Sequence, residues 1–197
     1  MAGSALELTA KRIEITDAAL RIIETRGIAA LTTSALAAEL GVSSGAPFRH
    51  FANRDEILEA VVLRVEELIL GTFPPETDPP LERLLALLRA RARVVGGHRG
   101  IGRLMFSEQF ALALPAAAAE RLRSVVMRTR AFLQAALEEG QREGAIRGDL
   151  TAGALLSVVF GMLMQLVHAQ AAGQGRPQDA DETCATLLAL LQPPPAP

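Results

Sequence analysis

Arg49 and His50 are the two side chains whose type and placement could do recognition chemistry in this chain. A guanidinium can donate two parallel hydrogen bonds to a guanine edge, or it can hold a phosphate. The imidazole of His50 can also donate to a phosphate, although it could equally cap a helix end or pack against Phe51. Ser44 and Ala46 are small, so the backbone that carries them could approach a partner closely and pack on thymine methyl groups.

Catalytic chemistry has no comparable support. The three histidines, His50, His98 and His168, have no histidine or cysteine partner at the spacing of a metal site. The sequence has no glycine-rich phosphate loop, and no set of serine, histidine and acid has a strand-turn-helix context. We therefore predict a protein that is not an enzyme, with no catalytic residue, no metal and no cofactor.

The segment 31–51, LTTSALAAELGVSSGAPFRHF, must position Arg49 and His50. Its pattern predicts two short helices joined by a tight turn at residues 41–43. A threonine (32 or 33) can cap the first helix, Gly41 supplies the left-handed residue after it, and Val42 would be the apolar plug of the turn. A serine (43 or 44) can cap the second helix, where Pro47 in the first turn costs little. Such a pair is a helix-turn-helix unit, although many helical hairpins share the pattern without touching DNA.

The flanking sequence extends this pattern. Asn53 can cap a third helix, with Glu56 three residues later as in a capping box. Upstream, apolar residues at helical spacing predict one buried face of a helix that ends near Gly27. These residues are Ile15, Ala18, Ala19, Ile22 and Ile23.

The run from Ile13 to Val62 resembles the DNA-binding domain of TetR-family transcriptional regulators. The resemblance rests on Gly27, Leu31-Thr32-Thr33, Leu36-Ala37, Gly41-Val42-Ser43, Phe48, His50-Phe51 and the segment from Arg54 to Leu58. It implies an all-α fold with an N-terminal three-helix helix-turn-helix DNA-binding domain over residues 1–53. A C-terminal helical domain for ligand binding and dimerisation would cover residues 54–197, with a disordered tail at 193–197.

The resemblance also implies DNA contacts. Thr33 and Ser34 would lie near a phosphate, four residues would face the groove, and His50 and Arg54 would contact phosphates. Phe48 stands where the family most often has tyrosine, and the loss of that hydroxyl costs about 1 kcal/mol of binding. The full set of implied contacts is Thr33, Ser34, Ser44, Gly45, Ala46, Phe48, Arg49, His50 and Arg54.

Charge gives this domain little general attraction for DNA. Residues 1–60 contain six Lys/Arg against eight Asp/Glu, and the whole chain has a formal net charge of −2. Binding would therefore depend on where the charges lie and on helix N-termini that face phosphates. Lys11 and Arg12 could add a flanking contact, or they could simply be solvated.

The remaining sequence predicts helices separated by clear breaks. Four prolines in TFPPETDPP (72–80) end the helix 54–70. Further helices are predicted over 81–95, 100–110, from Pro115 onward, over 151–172 and over 179–191. Gly140, Gly144 and Gly148 mark a turn. A mainly apolar stripe lies on the long helix before this turn. That stripe is Leu122, Val125, Val126, Thr129, Phe132, Leu133, Ala136 and Leu137.

The helix 151–172 is apolar nearly all round, so it should be buried on more than one face. A stripe of Leu155, Val159, Met162 and Leu166 suits the domain's own core, and the opposite stripe has small residues four apart. The resemblance implies that this second stripe forms a homodimer interface, although both stripes could pack within one chain. The candidate interface residues are Gly153, Ser157, Gly161, Met164 and His168.

The resemblance further implies a ligand cavity among these helices. No charged residue stands inside the apolar stripes, so we expect a small hydrophobic effector that is not strongly anionic. Methionine and phenylalanine can line an adaptable pocket, although each is equally ordinary as a core residue. The candidate lining residues are Leu104, Met105, Phe106, Phe110, Met127, Phe160 and Met162.

Composition agrees with a protein of the cytoplasm. The single Cys184 excludes an internal disulfide, and the first residues lack the apolar core of a signal peptide. The apolar run 152–167 is short for a membrane span, so we expect no membrane partner.

Together these features predict a homodimeric repressor that binds a near-palindromic double-stranded DNA operator and is released by an effector. A second interpretation is a DNA-binding scaffold of the same fold that acts through protein partners, as the nucleoid-occlusion factors of this family do. A third is a helical dimerisation module whose helix-turn-helix is only structural.

Overall fold

A computed structural model describes residues 10–106, 113–176 and 178–193 of the chain. These residues form eight α-helices and two short 3₁₀ turns, and no strand occurs among them, so the predicted all-α fold is confirmed. The α-helices are α1 (Ala10–Arg26), α2 (Thr33–Leu40), α3 (Arg54–Leu70), α4 (Pro80–Gly97), α5 (Arg99–Phe106), α6 (Ala116–Arg142), α7 (Ala152–Ala171) and α8 (Asp179–Leu191). The 3₁₀ turns are Ile28–Ala30 and Pro47–Arg49.

The helices group into two compact units. The head unit comprises the chain up to Leu68 together with His98–Arg123, and the body unit comprises Ile69–Gly97 together with the chain from Ser124 onward. The predicted boundary at residue 53 divides the chain by role, which this grouping does not test, and it stays a prediction.

The core of the head unit lies around α1. Every residue of its predicted apolar face, from Ile15 to Ile23, is buried, so that prediction is confirmed. Helix α5 packs closely against it at Gly100. A Cβ atom at that position would lie 2.6 Å from the backbone oxygen of Leu20, which leaves no room for a side chain.

In the body unit, α4 packs against α7 and α8. The central residues of the α6 stripe, such as Val125 and Leu133, are buried. Gly140, predicted in a turn, instead lies inside α6, where an added Cβ would approach Ile146 Cδ1 to 2.5 Å. The turn comes at Gly144, whose φ of +75° lies in the left-handed region that glycine tolerates.

Helix α7 begins at a threonine cap, since Ala154 N donates to Thr151 Oγ1 at 3.2 Å. The helix is 20 residues long, so the expectation that its apolar run is too short to cross a membrane is wrong on length. Helix α7 is long and apolar enough to cross a membrane, as the core helices of soluble proteins also can be. Within the chain, 39% of its apolar window is buried.

Candidate nucleic-acid interface and ligand region

Helix α2 has the ends that the sequence predicts. Ala35 N donates to Thr32 Oγ1 at 3.2 Å, which satisfies a free N–H of the first turn. Gly41 follows Leu40 with a φ of 65°, and its N–H closes the helix on the last carbonyls. The sequence places Leu36, Ala37 and Leu40 at helical spacing; Leu36 and Ala37 are buried and Leu40 is half-buried.

The predicted second helix of the motif is not an α-helix. Residues 43–51, which we call the recognition segment, contain only the 3₁₀ turn Pro47–Arg49. Proline has no N–H, so the helical bond from residue 47 to the Ser43 carbonyl cannot form. That carbonyl instead accepts from Ala46 N at 2.9 Å, and the Pro47 carbonyl accepts from the N–H groups of His50 and Phe51. The segment is therefore a series of tight turns.

The apolar anchor of this segment also differs from prediction. Val42, expected to plug the turn, is 37% exposed, whereas Phe51 is 1% exposed. A large aromatic side chain at the end of the segment buries more apolar area than a valine can, and it fixes the segment to the core. An aromatic residue directly after Arg49-His50 was the signal in the sequence.

Arg12 on α1 holds the recognition segment in place. Its Nη1 donates to the backbone oxygen of His50, and its Nη2 donates to Glu56 Oε1 at 2.8 Å. The guanidinium also lies 4.1 Å from the centroid of the Phe51 ring. With its side chain only 14% exposed, Arg12 is a positioning residue of the head unit rather than the flanking contact considered from the sequence.

Glu56 completes this arrangement at the start of α3. Its own N–H donates to Asn53 Oδ1 at 2.9 Å, as the capping box predicts, and its Oε2 accepts from Ala52 N at 2.6 Å. The hydrogen bond from Ala52 and the guanidinium of Arg12 hold the pKa of the Glu56 carboxyl below its usual value. The ionised carboxylate therefore links α3 to the end of the recognition segment.

Arg54, predicted to contact a phosphate, is engaged with the backbone of its own chain. Its Nε donates to the Leu31 carbonyl and its Nη2 to the Ile28 carbonyl, both at 3.1 Å. These carbonyls lie just before α2, so Arg54 fixes the entry to that helix. A phosphate contact by the same side chain stays a prediction.

Arg49 differs from the other arginines of this region. Among the described residues 10–61, it is the one arginine whose side chain forms neither a hydrogen bond nor an ion pair within the chain. Arg21 and Arg26 lie against Glu39, and Arg12 and Arg54 are engaged as described above. The side chain of Arg49 is exposed, so the recognition segment presents a cation to solvent.

Five of the predicted DNA contacts line two clefts. Thr33 and Arg54 line one cleft of about 300 Å³, and Ala46, Arg49 and His50 line another of about 150 Å³ together with Lys11 and Val42. Ser34, Ser44 and Gly45 are exposed. The side chain of Phe48 lies outside the described part of the structure.

Residues 15–61 match the model of the bacterial regulatory proteins of the tetR family. These residues form a TetR-family domain. The protein is therefore a DNA-binding regulator, and the regulators of this family are not enzymes, as predicted. The matched range contains the capped α2, the whole recognition segment, Arg54 and Glu56, whereas Arg12 lies just before it.

The likeness to known proteins extends beyond this domain to most of the chain. The chain is 26% identical over 171 residues to the nucleoid occlusion factor SlmA of Shewanella halifaxensis, covering 81% of this chain and 84% of that protein. The ketosteroid transcriptional regulator KstR2 of Mycobacterium tuberculosis shares its fold with a TM-score of 0.78 at 21% identity, over 96% and 99% of the two chains. AibR, solved with isovaleryl coenzyme A and operator DNA, has a TM-score of 0.74 at 17% identity, over 93% and 99%.

The two predicted stripes of α7 differ in exposure. Leu155, Val159 and Leu166 are buried and Met162 is half-buried, so this stripe faces the core of the body unit. On the candidate interface stripe, Met164 is half-buried and the other members are exposed. Those members are Gly153, Ser157, Gly161 and His168.

The candidate ligand residues lie in different environments. Leu104 is buried, Met105 is half-buried, and the side chain of Phe106 and the whole of Phe110 lie outside the described residues. Met127 is 64% exposed in the single chain, and its place in the lining of a cavity stays a prediction.

In the body unit, Phe160 lies with its ring 4.9 Å from the guanidinium carbon of Arg130. Met162 lines an open groove of about 610 Å³ along α7 and α8, together with Asp179 and Glu182. A cavity formed by the candidate set stays a prediction.

The expectation that no charge stands inside the apolar stripes is wrong for α4. Arg83 and Arg91 are 6% and 1% exposed, on the same face as the buried residues Leu84, Leu87 and Leu88. The sequence carried a signal for this, because arginines eight residues apart recur on one face of a helix. The sequence predicts an arginine-rich helix over 81–95 without assigning its arginines to a face.

Proposed function

We propose that this protein is a cytoplasmic repressor that binds a near-palindromic operator as a homodimer and is released by a small, mainly apolar effector. The observation that carries the proposal is Arg49, an exposed arginine without a partner on a segment that Arg12 fixes in place. Because the backbone that carries Arg49 is already fixed, its guanidinium can read a guanine edge or hold a phosphate without the cost of ordering the segment.

Homodimer formation is supported by α7. One stripe of this helix is buried in the body unit, and the opposite stripe of small residues remains exposed together with Val158, which is 47% exposed. An apolar helix face of this kind is normally covered in solution. Two copies related by a two-fold axis would present two recognition segments to the two halves of a palindrome.

Release by an effector would act through α3. This helix runs from Arg54, beside the recognition segment in sequence, to Leu70 without a break. An effector that binds among the body helices could move α3 and change the spacing of the two recognition segments. A coupling of about 1–3 kcal/mol between the two sites would be sufficient for regulation. AibR, a protein of the same fold, has been solved in complex with isovaleryl coenzyme A and operator DNA, so one protein of this fold accommodates both kinds of partner.

A second candidate function is DNA binding without a small-molecule effector, with protein partners as the output. The likeness to SlmA, a nucleoid occlusion factor, over 81% of the chain favours it. Both candidates require sequence-specific DNA binding, and they differ in whether a small molecule releases the complex.

The test is selection of bound fragments from random double-stranded DNA by the purified protein. We expect an enriched inverted repeat that the double variant Arg49→Ala, His50→Ala fails to select. Arg21→Ala is the matched control, because Arg21 is an exposed arginine already paired with Glu39, and it should select the same repeat. Equal loss in both variants would attribute the effect to net charge, and no enrichment at low salt would exclude the regulator proposed here.

The selected repeat then serves to separate the two candidates. Release of the bound repeat by members of a panel of apolar small molecules supports the repressor. Binding that no member of the panel changes, at many genomic sites, supports the protein that acts through partners.

A further inference from the structure

Arg91 lies in the interior of the body unit without a charge to balance it. Its side chain is among the largest fully buried ones of the described residues, and its Nη2 has no hydrogen-bond partner. Its Nε donates to Thr72 Oγ1 at 3.0 Å, and Thr72 in turn donates to the Ile69 carbonyl at 2.6 Å. Within the described part of the chain, no carboxylate pairs with Arg91, not even Glu76 or Asp78 of the preceding loop.

Arg83, two turns earlier on the same face of α4, shows the usual arrangement. It is 6% exposed, and its Nη2 donates to Glu139 of α6. A buried guanidinium is normally neutralised in this way, because an isolated charge in a medium of low polarity is costly. Burial alone lowers the pKa of Arg91 to about 10, a value at which the group still carries its charge at neutral pH.

The surroundings of Arg91 are aromatic on one side. Its guanidinium carbon lies 5.7 Å from the centroid of the Phe73 ring, and that ring meets Phe132 of α6 edge to face at 5.0 Å between centroids. Both phenylalanines are half-buried, so each ring is partly exposed at the surface of the unit. A fixed cation next to a pair of rings suits a ligand with one negative group on an apolar body.

We propose that Arg91 binds the anionic group of the effector, a carboxylate or a phosphate ester, and that the apolar part of the effector packs on Phe73 and Phe132. This inference rests on the proposed effector-released regulator and names the chemical class of that effector. The free Nη2 would donate to one oxygen of the anion, while Nε keeps its bond to Thr72. One negative charge on a mainly apolar molecule would then form an ion pair with the Arg91 guanidinium, which has no carboxylate partner in the fold.

The test is calorimetric titration of the full-length protein, without DNA, with three sets of probes. Each probe is kept below the concentration at which it forms micelles. These are straight-chain carboxylates from butanoate to hexadecanoate, the alkyl phosphate esters of the same lengths, and the uncharged alcohols of the same lengths. We expect the wild-type protein to bind at least one anionic probe at least about tenfold more tightly than the matching alcohol. Carboxylates alone, or esters alone, would identify the source of the anion.

The Arg91→Met variant should lose this preference, and the Arg83→Met variant should keep it, because Arg83 already has a carboxylate. Thermal unfolding of Arg91→Met without ligand checks the fold, and we expect a Tm at or above that of the wild-type protein. Equal affinity for anions and alcohols, no binding of any anionic probe, or an unchanged preference in Arg91→Met would each overturn the proposal.

The titration is also independent of the operator. If the DNA selection fails while Arg91-dependent anion binding persists, the anion site stands and the repressor does not. The opposite pair of results would leave a DNA-binding regulator whose effector, if it has one, is recognised elsewhere.

Discussion

The arginines of the head unit and those of α4 in the body unit are used in different ways. In the head unit, Arg12 and Arg54 donate to backbone carbonyls and so fix the ends of short segments, while Arg49 is left exposed. On α4, Arg83 is buried against Glu139, and Arg91 is buried with no counter-charge. Arginine therefore fixes backbone segments at the surface of the head unit, whereas Arg91 places an unpaired charge in the interior of the body unit.

This difference has a physical reason. The recognition segment has too few helical hydrogen bonds to hold its own shape, so side chains from α1 and α3 must supply the missing constraints. In contrast, α4 is a helix of 18 residues, so the groups of its interior backbone bond to one another and do not need its buried arginines as partners. A costly charge kept on such a helix indicates a role in binding, which the following variants can test.

The largest expected effect is that of Arg83→Met. Removal of one partner of a buried pair leaves Glu139 uncompensated, and we expect the free energy of unfolding to fall by about 3 kcal/mol. Denaturant unfolding measures it. Arg91→Met should instead be neutral or stabilising, since it removes a charge that has no partner. Similar losses in the two variants would mean that Arg91 is a structural residue like Arg83, which would erase the contrast within α4.

A smaller effect is expected for Arg12→Met in the head unit. The variant loses a hydrogen bond to a carbonyl, a partly buried ion pair and a ring contact, together worth about 2 kcal/mol of unfolding free energy. Affinity for the selected operator should fall as well, because the recognition segment loses its clamp. Lys11→Met is the control, since Lys11 forms only an exposed pair with Glu14 and should change neither quantity measurably. Unchanged operator affinity in Arg12→Met would show that Phe51 alone positions the segment.

The ends and apolar faces of regular helices were predictable from the sequence. The caps at Thr32, Gly41 and Thr151 and the buried face of α1 depend on local hydrogen bonds and on helical periodicity, and both are encoded in neighbouring residues. The recognition segment was not predictable in the same way. Pro47 is compatible with the first turn of a helix or with an isolated 3₁₀ turn, and its neighbours do not decide between them.

The contacts that finish the site join residues far apart in the chain. Arg12 meets His50 across 38 positions, and Arg83 meets Glu139 across 56. No spacing rule connects such residues, so a sequence pattern could identify the arginines but not their partners. Arg91 is the converse case, because the absence of a carboxylate partner can be seen only when every neighbouring helix is in place.

An effect of about 1 kcal/mol is expected for the loss of either threonine cap. Thr32→Ala and Thr151→Ala remove the same kind of bond, each to an N–H 3.2 Å away, from the head and body units respectively. Helix α2 has only eight residues, so fraying at Thr32 should also weaken operator binding, whereas Thr151→Ala should lower the Tm alone. Equal operator affinity in the two variants would argue that α2 does not support the recognition segment when DNA binds.

The smallest effect is expected at Glu56, and it depends on pH. Because the pKa of this carboxyl is lowered in the folded protein, its contribution to stability is complete above the unfolded pKa and is lost as the pH falls through the folded value. Glu56→Gln should therefore be less stable than the wild-type protein by no more than about 1 kcal/mol at pH 7, since the amide still offers an acceptor to Ala52 N. The free energies of unfolding of the two proteins should become equal when they are measured at progressively more acidic pH. A difference that persists at acid pH would mean that the charge of Glu56 is not what stabilises the clamp with Arg12, and that the head unit relies on the shape of its caps alone.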